Sequence, residues 1–382
     1  MTAKLQPRGP LAGVRVVEFA GLGPAPHACM LLSDMGAQIV RIDRPGAPSP
    51  DPTDATMRGR VGTVALDLKA PEDAAAALEL TARADILVEG FRPGVMERLG
   101  LGPDVVMVRN ARLIYGRMTG WGQSGPLATK AGHDINYISL CGALAGIGPA
   151  DGKPTIPLNL VGDFGGGSLY LVVGVLAALV ERAASGRGQV IDAAVCDGVA
   201  SLMAMPNWLY RSPVWDGREA RGANAFDGGR FYYNTYECAD GAYISVGAGE
   251  PQFYRQLCEA MGIADDPDFA LHGQESEGSQ RRIEAAARIF RSKTRDEWCA
   301  IFADRDACFT PVLWPSEAAA HPHHAARNVL LDVGGVPQPA PAPRFDRTPS
   351  AVQGLTPPRP IALATALNAW SRVDAEAPKE SR

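Results

Sequence analysis

Hydrophobic positions along this chain alternate between two rhythms. Val14 to Ala20 (VRVVEFA) is a short β-branched run and predicts a buried strand. GLGPAPHA follows it, then CMLLSDMGA, a helical stretch closed by Gly36, and then AQIVRID, a second strand. Strand, helix and strand together make a βαβ unit of about thirty residues, the opening of a Rossmann-like sheet. The pattern continues. VALDL predicts a strand, and PEDAAAALELTARA a helix with Pro71 at its first turn. ADILVEGF predicts a strand, VMERLGLGPDVVMVRN an interrupted helix, and RLIYGRMTGWG a strand entering a Gly-rich loop. Such alternation predicts an α/β fold with a mainly parallel sheet covered on both faces.

The rhythm changes after residue 215. RFYYNTYECADGAYISVGA predicts a β-hairpin turning at Ala239-Asp240-Gly241. PQFYRQLCEAMG and the stretches Ser279 to Ser292 and Thr294 to Ala303 predict helices. The expected division is a large Rossmann-like domain over 1–215, a small α+β domain over 216–320, and a segment over 321–382. In that last segment, VPQPAPAPRFDRTPS is expected as an extended strap returning to the large domain, followed by a frayed tail. The longest apolar stretch, Leu169 to Val180, ends at Glu181-Arg182; it is too short to span a bilayer and is expected as a buried helix. No secretory leader is evident before the first strand.

Composition narrows the function classes. The chain has 382 residues, enough for one large and one smaller domain, and is 46% hydrophobic and 21% charged. A net charge of −5 gives no basic surface for nucleic acid. Seven dispersed cysteines form no CxxC unit and read as reduced thiols of a cytoplasmic protein. Cys141, Cys196 and Cys258 sit in apolar surroundings and are expected as small core residues. His321, His323 and His324 lack the spacing and partners of a metal site, so no metal is expected. A dinucleotide is not expected either. The turn GLGPAPHA lacks a third glycine, and Pro24 and Pro26 remove N–H groups that a pyrophosphate needs.

Two segments carry chemistry. AGHDINYISLCGALAGIG (131–148) places a His-Asp pair after a glycine and before an apolar helix. PLNLVGDFGGGSLYLVVG (157–174) places Asp163 just before a triple glycine leading into the long helix. Both read as loops entering helices. Free N–H groups and the positive helix end stabilise negative charge there, and glycines let a substrate approach the backbone. That suits enolate chemistry. Removing a proton beside a thioester requires the developing oxyanion to be stabilised, and one well-placed donor supplies roughly 3 kcal/mol. Inversion of that carbon by proton exchange needs two bases, one on each face of the planar enolate. His133 and Asp163 form such a pair, because a histidine titrates near neutrality and a carboxylate is tuned by its neighbours. As residue types alone they have a plainer account: a histidine at a helix start is commonly structural, and an aspartate before a helix is commonly an N-cap.

The segments GHDINY and LVGDFGGG closely resemble the α-methylacyl-CoA racemases, a branch of the family III CoA-transferase superfamily. So do LAGVRVVEFAGLGPAPHA, VRIDRPG, LDLK, RLIYGRMTGWGQSGP, GQVIDAAVCDG, TYECADGAYISVGAGEPQFY and PAPAPRF, in order along almost the whole chain. The resemblance implies an isomerase of lipid metabolism that inverts the 2-methyl-branched α-carbon of acyl-CoA thioesters. His133 would take the proton from the S epimer and Asp163 from the R epimer, with Glu250 assisting Asp163. It implies no cofactor, coenzyme A being part of the substrate. The coenzyme A portion is expected along Arg44, along Leu66, Asp67, Leu68 and Lys69, and along Gly132, Asp134, Ile135, Asn136 and Tyr137. Arg44 and Lys69 suit phosphates by their charge. Arg60, Arg92 and Arg98 are expected to add positive field. Many relatives carry a basic pair just before LDLK where Val61 and Gly62 stand here, so Arg58 and Arg60 are the expected substitutes.

The resemblance also implies an interlocked homodimer, with the site between the large domain of one subunit and the small domain of the other. Glu250 then comes from the partner chain. No nucleic acid or membrane partner is expected. The acyl tail stays open among branched fatty acyl, bile-acid-intermediate and aryl-propionyl groups, because apolar pockets discriminate weakly per methylene. The alternative is a family III CoA-transferase, which uses an aspartate in the place of Asp163 as a nucleophile forming an acyl anhydride. Those enzymes usually carry an aromatic residue where His133 stands. An acyl-CoA-binding protein without catalysis would tolerate loss of both bases, and both are present.

Overall fold

The computed structural model describes residues 8–212, 215, 219–270, 278–333, 335–354 and 357–371. The chain divides into two compact units. The first holds residues up to Cys141, Leu158–Leu202 and the chain from Asn328 onward; the second holds Gly142–Pro157 and Met203–Arg327.

The first unit begins β1 (Arg15–Phe19), α1 (Pro24–Asp34), β2 (Gln38–Asp43), β3 (Arg60–Ala65), α2 (Pro71–Ala82) and β4 (Ile86–Glu89). It continues α3 (Val95–Arg98), α4 (Pro103–Arg109), β5 (Ile114–Thr119), α5 (Asp134–Leu140), a π-helix (Leu160–Ser168), α6 (Leu169–Ser185), β6 (Val190–Ala194) and α7 (Val195–Leu202). The six strands form one parallel sheet in the order β3-β2-β1-β4-β5-β6. This is the doubly wound arrangement expected from the alternating pattern. Strand alternation sends Val17, Phe19, Val40, Ile42, Leu87 and Tyr115 into one core with Leu80 and Trp370. The opposite face takes α6: a Cβ on Gly116 of β5 would lie 2.9 Å from Leu171 Cδ1.

Several expectations change in detail. The strand read as VALDL is β3 and ends at Ala65. Leu66 to Lys69 form the turn into α2, held by Lys69 N–H donating to Asp67 Oδ1 at 3.1 Å and Asp67 N–H donating to Asp73 Oδ2 at 2.7 Å. The apolar helix is longer than the stretch read from sequence. The π-helix runs into α6, making Leu160–Ser185 a 26-residue helix, long and apolar enough by length and composition to cross a membrane. It is not wholly buried. Leu171, Val172, Val175 and Ala178 are buried, but Leu169, Val173 and Val180 form an exposed apolar row, Val180 being 74% exposed. Cys258 is a core residue as expected, whereas Cys141 and Cys196 are only half-buried, with Cys141 Sγ donating to the Cys196 carbonyl.

Arg58 and Arg60 overturn an expectation. They are not surface cations free to meet phosphate. Arg60 is buried and forks onto Glu18 of β1, with Nε 2.8 Å from Oε2 and Nη2 2.9 Å from Oε1. Arg41 adds a third contact to Glu18 at 2.8 Å. Arg58 is buried too, paired with Asp34 at 2.6 Å and donating to the Pro339 carbonyl at 2.7 Å. Desolvating an arginine is costly unless its fork is filled, and both forks are filled by carboxylates.

The second unit contains α8 (Ala204–Leu209), β7 (Tyr233–Glu237), β8 (Tyr243–Gly247), α9 (Pro251–Met261), α10 (Ser279–Phe290), α11 (Arg295–Phe302), β9 (Phe309–Val312), α12 (Pro315–Ala320) and α13 (Pro322–Arg327). The predicted hairpin is β7–β8, extended by β9 into a three-stranded antiparallel sheet. Gly241 supplies the positive φ, +77°, that its turn needs. Thr294 caps α11 in a reciprocal box with Glu297, the Thr294 N–H meeting Glu297 Oε2 at 2.7 Å. The chain then returns to the first unit through β10 (Leu330–Val333), β11 (Val336–Pro339) and α14 (Leu363–Ser371). The start of the Pro-rich strap is thus half of an antiparallel hairpin. Further on, Arg359 and Ile361 hydrogen-bond to Thr63 of β3, so the segment does run back along the large sheet. The tail from residue 372 lies outside the described residues.

Candidate active site

In an open parallel sheet, loops from two neighbouring strands part to opposite faces where the strand order reverses, leaving a crevice at the carboxyl ends. Here that point lies between β1 and β4. Asp163 arrives there from the π-helix: a Cβ on Gly23, in the β1–α1 turn, would lie 3.2 Å from Asp163 Oδ2. Gly23 also has a φ of +69°, so the position favours glycine twice over.

The π-helix is closely packed. A Cβ on Gly166 would meet Val199 Cγ2 at 2.6 Å, and one on Gly167 would meet Pro24 Cβ at 3.1 Å. A Cβ on Gly198 of α7 would sit 1.9 Å from the Gly166 carbonyl oxygen. The triple glycine therefore admits α1 and α7, not a substrate, which corrects that part of the sequence reading. Asp163 is accordingly inside a helical turn rather than in a loop. π-turns are uncommon and cluster at functional sites.

His133 sits where the sequence placed it, immediately before α5, and is exposed. Its N–H donates to Asn136 Oδ1 at 3.0 Å, which fixes the entry to the helix. Asp134 ties the His133 and Asp163 segments together: its Oδ2 accepts the Asp163 N–H at 2.7 Å, and the residue is buried. Asn159 Nδ2 reaches Asp163 Oδ2 at 3.5 Å. Burial pushes the Asp163 carboxyl above the usual carboxylate range. The Asn159 amide opposes that, the Asp134 carboxylate adds to it, and His133 opposes it. The first unit thus brings His133, Asp134 and Asp163 into one electrostatic neighbourhood. Glu250 stands in the second unit, exposed, at the start of α9.

His133 also lines a cavity of about 260 Å³ at the carboxyl ends of β4 and β5, together with Arg92, Lys130, Trp121 and Tyr137. Tyr137 is a wedge under this loop. Its hydroxyl donates to the Gly132 carbonyl and its ring meets Trp121 edge-on at 4.7 Å between centroids. A Cβ on Gly120 would overlap that ring at 2.0 Å. Ile135 and Asn136 are exposed on the first turn of α5. A larger cavity of about 790 Å³ belongs to the second unit and is lined by neither His133 nor Asp163.

Arg44 follows β2, and Leu66 to Lys69 follow β3, so these positions share the same carboxyl edge, with Asp43 and Ala65 in register. Arg44, Asp67 and Lys69 are exposed, while Leu66 is buried in the core and Leu68 packs against it. Three residues at the site escaped the sequence reading. Asn159 lies one helical turn before Asp163, and Lys130 lies three residues before His133; both spacings were visible. His27 was not predictable locally. Its ring packs on Phe164 at 4.5 Å and its Nδ1 lies 2.6 Å from Ser168 Oγ, a partner 141 positions away.

Comparison with known proteins fits this geometry. Residues 11–360 match the family model described as CoA-transferase family III. The alpha-methylacyl-CoA racemase of Mus musculus is 44% identical over 343 residues, covering 89% of this chain and 87% of its own. The Homo sapiens protein of the same name is 42% identical over 347 residues, with the same coverage of 89% and 87%. The crystal structure of a CAIB/BAIF family protein from Brucella suis superposes with a TM-score of 0.79 at 24% identity, over 96% of this chain and all of that one, and shows the fold. Matched in sequence from its first strand to the approach to its last helix, this chain belongs to CoA-transferase family III.

Proposed function

We propose that this protein is a racemase of 2-methylacyl-CoA thioesters, working by two-base proton transfer through an enolate. One observation carries the reading: a carboxyl group held at the switch point of the sheet, raised in pKa, with a histidine close enough for its charge to act on it. The two relatives above, named as racemases, support the substrate class. In the S epimer His133 removes the α-proton and Asp163 delivers one to the opposite face; in the R epimer the roles reverse. The thioester oxygen gathers charge in between. In this reading the backbone N–H groups of the first turn of α5, directly after His133, are the donors to it. Arg44, Lys69, Arg92 and Lys130 place positive charge along the carboxyl edge for the phosphates of coenzyme A. Glu250 assists Asp163 across a subunit boundary in this reading.

The reaction moves only protons, so coenzyme A enters as part of the substrate and no metal or redox group is required. The test is incubation of one pure 2-methylacyl-CoA epimer in deuterated water with no acceptor acid, before and after exhaustive chelation. Deuterium entering the α-carbon with inversion, unchanged by chelation, is the expected result. No exchange in that incubation, with coenzyme A transferred once an acid is added in a second one, identifies a transferase. Activity lost on chelation and restored by a divalent metal ends the metal-free reading.

The working form is proposed as a homodimer in a reducing, cytoplasmic setting, in keeping with free thiols at all seven cysteines. The exposed row Leu169, Val173 and Val180 on α6 supports the assembly, because a continuous apolar stripe is rarely left in water. Neither nucleic acid nor membrane takes part in this reading. Sedimentation at nanomolar concentration is expected to show a dimer; a fully active monomer overturns both the assembly and the shared site.

A further inference from the structure

Asp134 does more than begin α5. Its side chain turns inward and is buried, so it is not a surface contact for coenzyme A. One oxygen accepts the Asp163 N–H at 2.7 Å; the other, Oδ1, is buried and has no hydrogen-bond partner among the described residues. Buried carboxylates ordinarily gather several donors, since each unmet lone pair costs desolvation free energy. A carboxylate with one oxygen unmet acts on its neighbours, and here those whose pKa it raises, after burial, are Asp163 and Tyr137. Gly162 makes the approach possible: a Cβ there would lie 2.3 Å from Asp134 Oδ2.

From this juxtaposition we infer that Asp134 is the positioning residue of the reaction: it fixes the Asp163 backbone through one oxygen and sets its own charge beside the Asp163 carboxyl. The inference rests on the two-base reading and deepens it. A two-base racemase needs two arrangements of one shared proton, His133 protonated with Asp163 ionised, and His133 neutral with Asp163 protonated. An ordinary aspartate lies more than two pKa units below an ordinary histidine, so the second arrangement is normally rare. A negative charge beside Asp163 draws the two closer in free energy. Among other groups near Asp163, His133 on α5 acts the opposite way and Asn159 donates to the ionised form. Tyr137 of α5 is a phenol whose own pKa is raised, by burial first and by Asp163 next. On α7, the thiol of Cys196 is pushed up to about 11, by burial first and Asp197 next. From the β1–α1 turn, Gly23 faces the carboxyl.

The test is Asp134→Asn, which keeps the shape and an acceptor for the Asp163 N–H but removes the charge. The equilibrium constant between epimers fixes the ratio of kcat/KM in the two directions, so both must change together. The acidic limb of the bell-shaped kcat/KM profile is expected to move to lower pH, and the peak to fall equally in both directions, with KM little changed. Superimposable parent and variant profiles overturn the inference and leave the two-base mechanism standing. Loss of rate without any movement of the limb means a purely structural role and also overturns it. Should the variant not fold, carbon-13 NMR of aspartate-labelled unaltered protein asks the same question. The Asp163 carboxyl resonance, recognised by its loss in Asp163→Asn, is expected to titrate above ordinary aspartate and in two coupled steps. A single step at the ordinary value sinks the idea. If His133→Ala or Asp163→Asn retains parent racemisation, the underlying reading fails instead, whatever Asp134→Asn does.

Discussion

His133→Ala and Asp163→Asn are each expected to lower net racemisation by about 10²–10⁴-fold, the usual contribution of a positioned acid or base. The loss is the same in both directions, because a full cycle passes a proton across both faces. The half-reactions separate the two residues. His133→Ala retains Asp163, so deuterium should still enter the R epimer from solvent while the S epimer stays inert. Asp163→Asn keeps His133 and should show the reverse. Following α-carbon deuterium in each pure epimer before equilibrium checks this directly. Parent-rate racemisation in either folded variant removes that residue from the mechanism. An inactive Asp163→Asn beside an unaffected His133→Ala, in a protein that transfers coenzyme A between acids, is the outcome demanded by a nucleophilic aspartate.

The prediction depends on residues from distant parts of the chain meeting, and that part of the site was only partly legible in sequence. The parallel sheet was legible because its strands are short β-branched runs and its helices carry their own punctuation, such as Pro71 opening α2 and Gly36 after α1. His133 before α5 was legible for the same reason. The glycines after Asp163 were seen, but their purpose was misread: periodicity cannot tell a glycine that admits a substrate from one that admits Val199 or Pro24. Leu66 shows a related limit. Its place after β3 suggested a ligand edge, yet its side chain is committed to the core. The inward turn of Asp134 had no local sign, since a polar residue at the first position of a helix usually faces water.

Glu18 shows this limit most sharply, and gives the largest expected change in stability. VRVVEFA reads as a buried strand, but nothing near Glu18 in sequence says how a carboxylate is accommodated there, and its side chain is wholly buried. The reason lies 42 residues on, where Arg60 forks onto both its oxygens, and 23 residues on, where Arg41 joins. Arg60 is further tied to the Pro26 carbonyl at 2.9 Å, so this cluster holds the start of α1 against β3, just behind the turn that receives Asp163. Removing Glu18 leaves the buried Arg60 guanidinium without the carboxylate that fills its fork, and leaves Arg41 with Asp43 alone at 3.3 Å. Glu18→Ala is therefore expected to destabilise the protein by about 3–5 kcal/mol, the cost of breaking a buried pair from one side. Glu79→Ala is the control. It breaks the Glu79–Arg83 pair, which has a similar contact of 2.8 Å but side chains 49% and 41% exposed. That loss is expected to be about 0.5 kcal/mol or less, because water and salt screen such pairs. Denaturant unfolding of the parent and both variants in one buffer decides the matter. If Glu18→Ala costs no more than Glu79→Ala, the cluster is not what holds α1 in place, and the orientation of the Gly23 turn must be set by the packing of Pro24 on the π-helix instead.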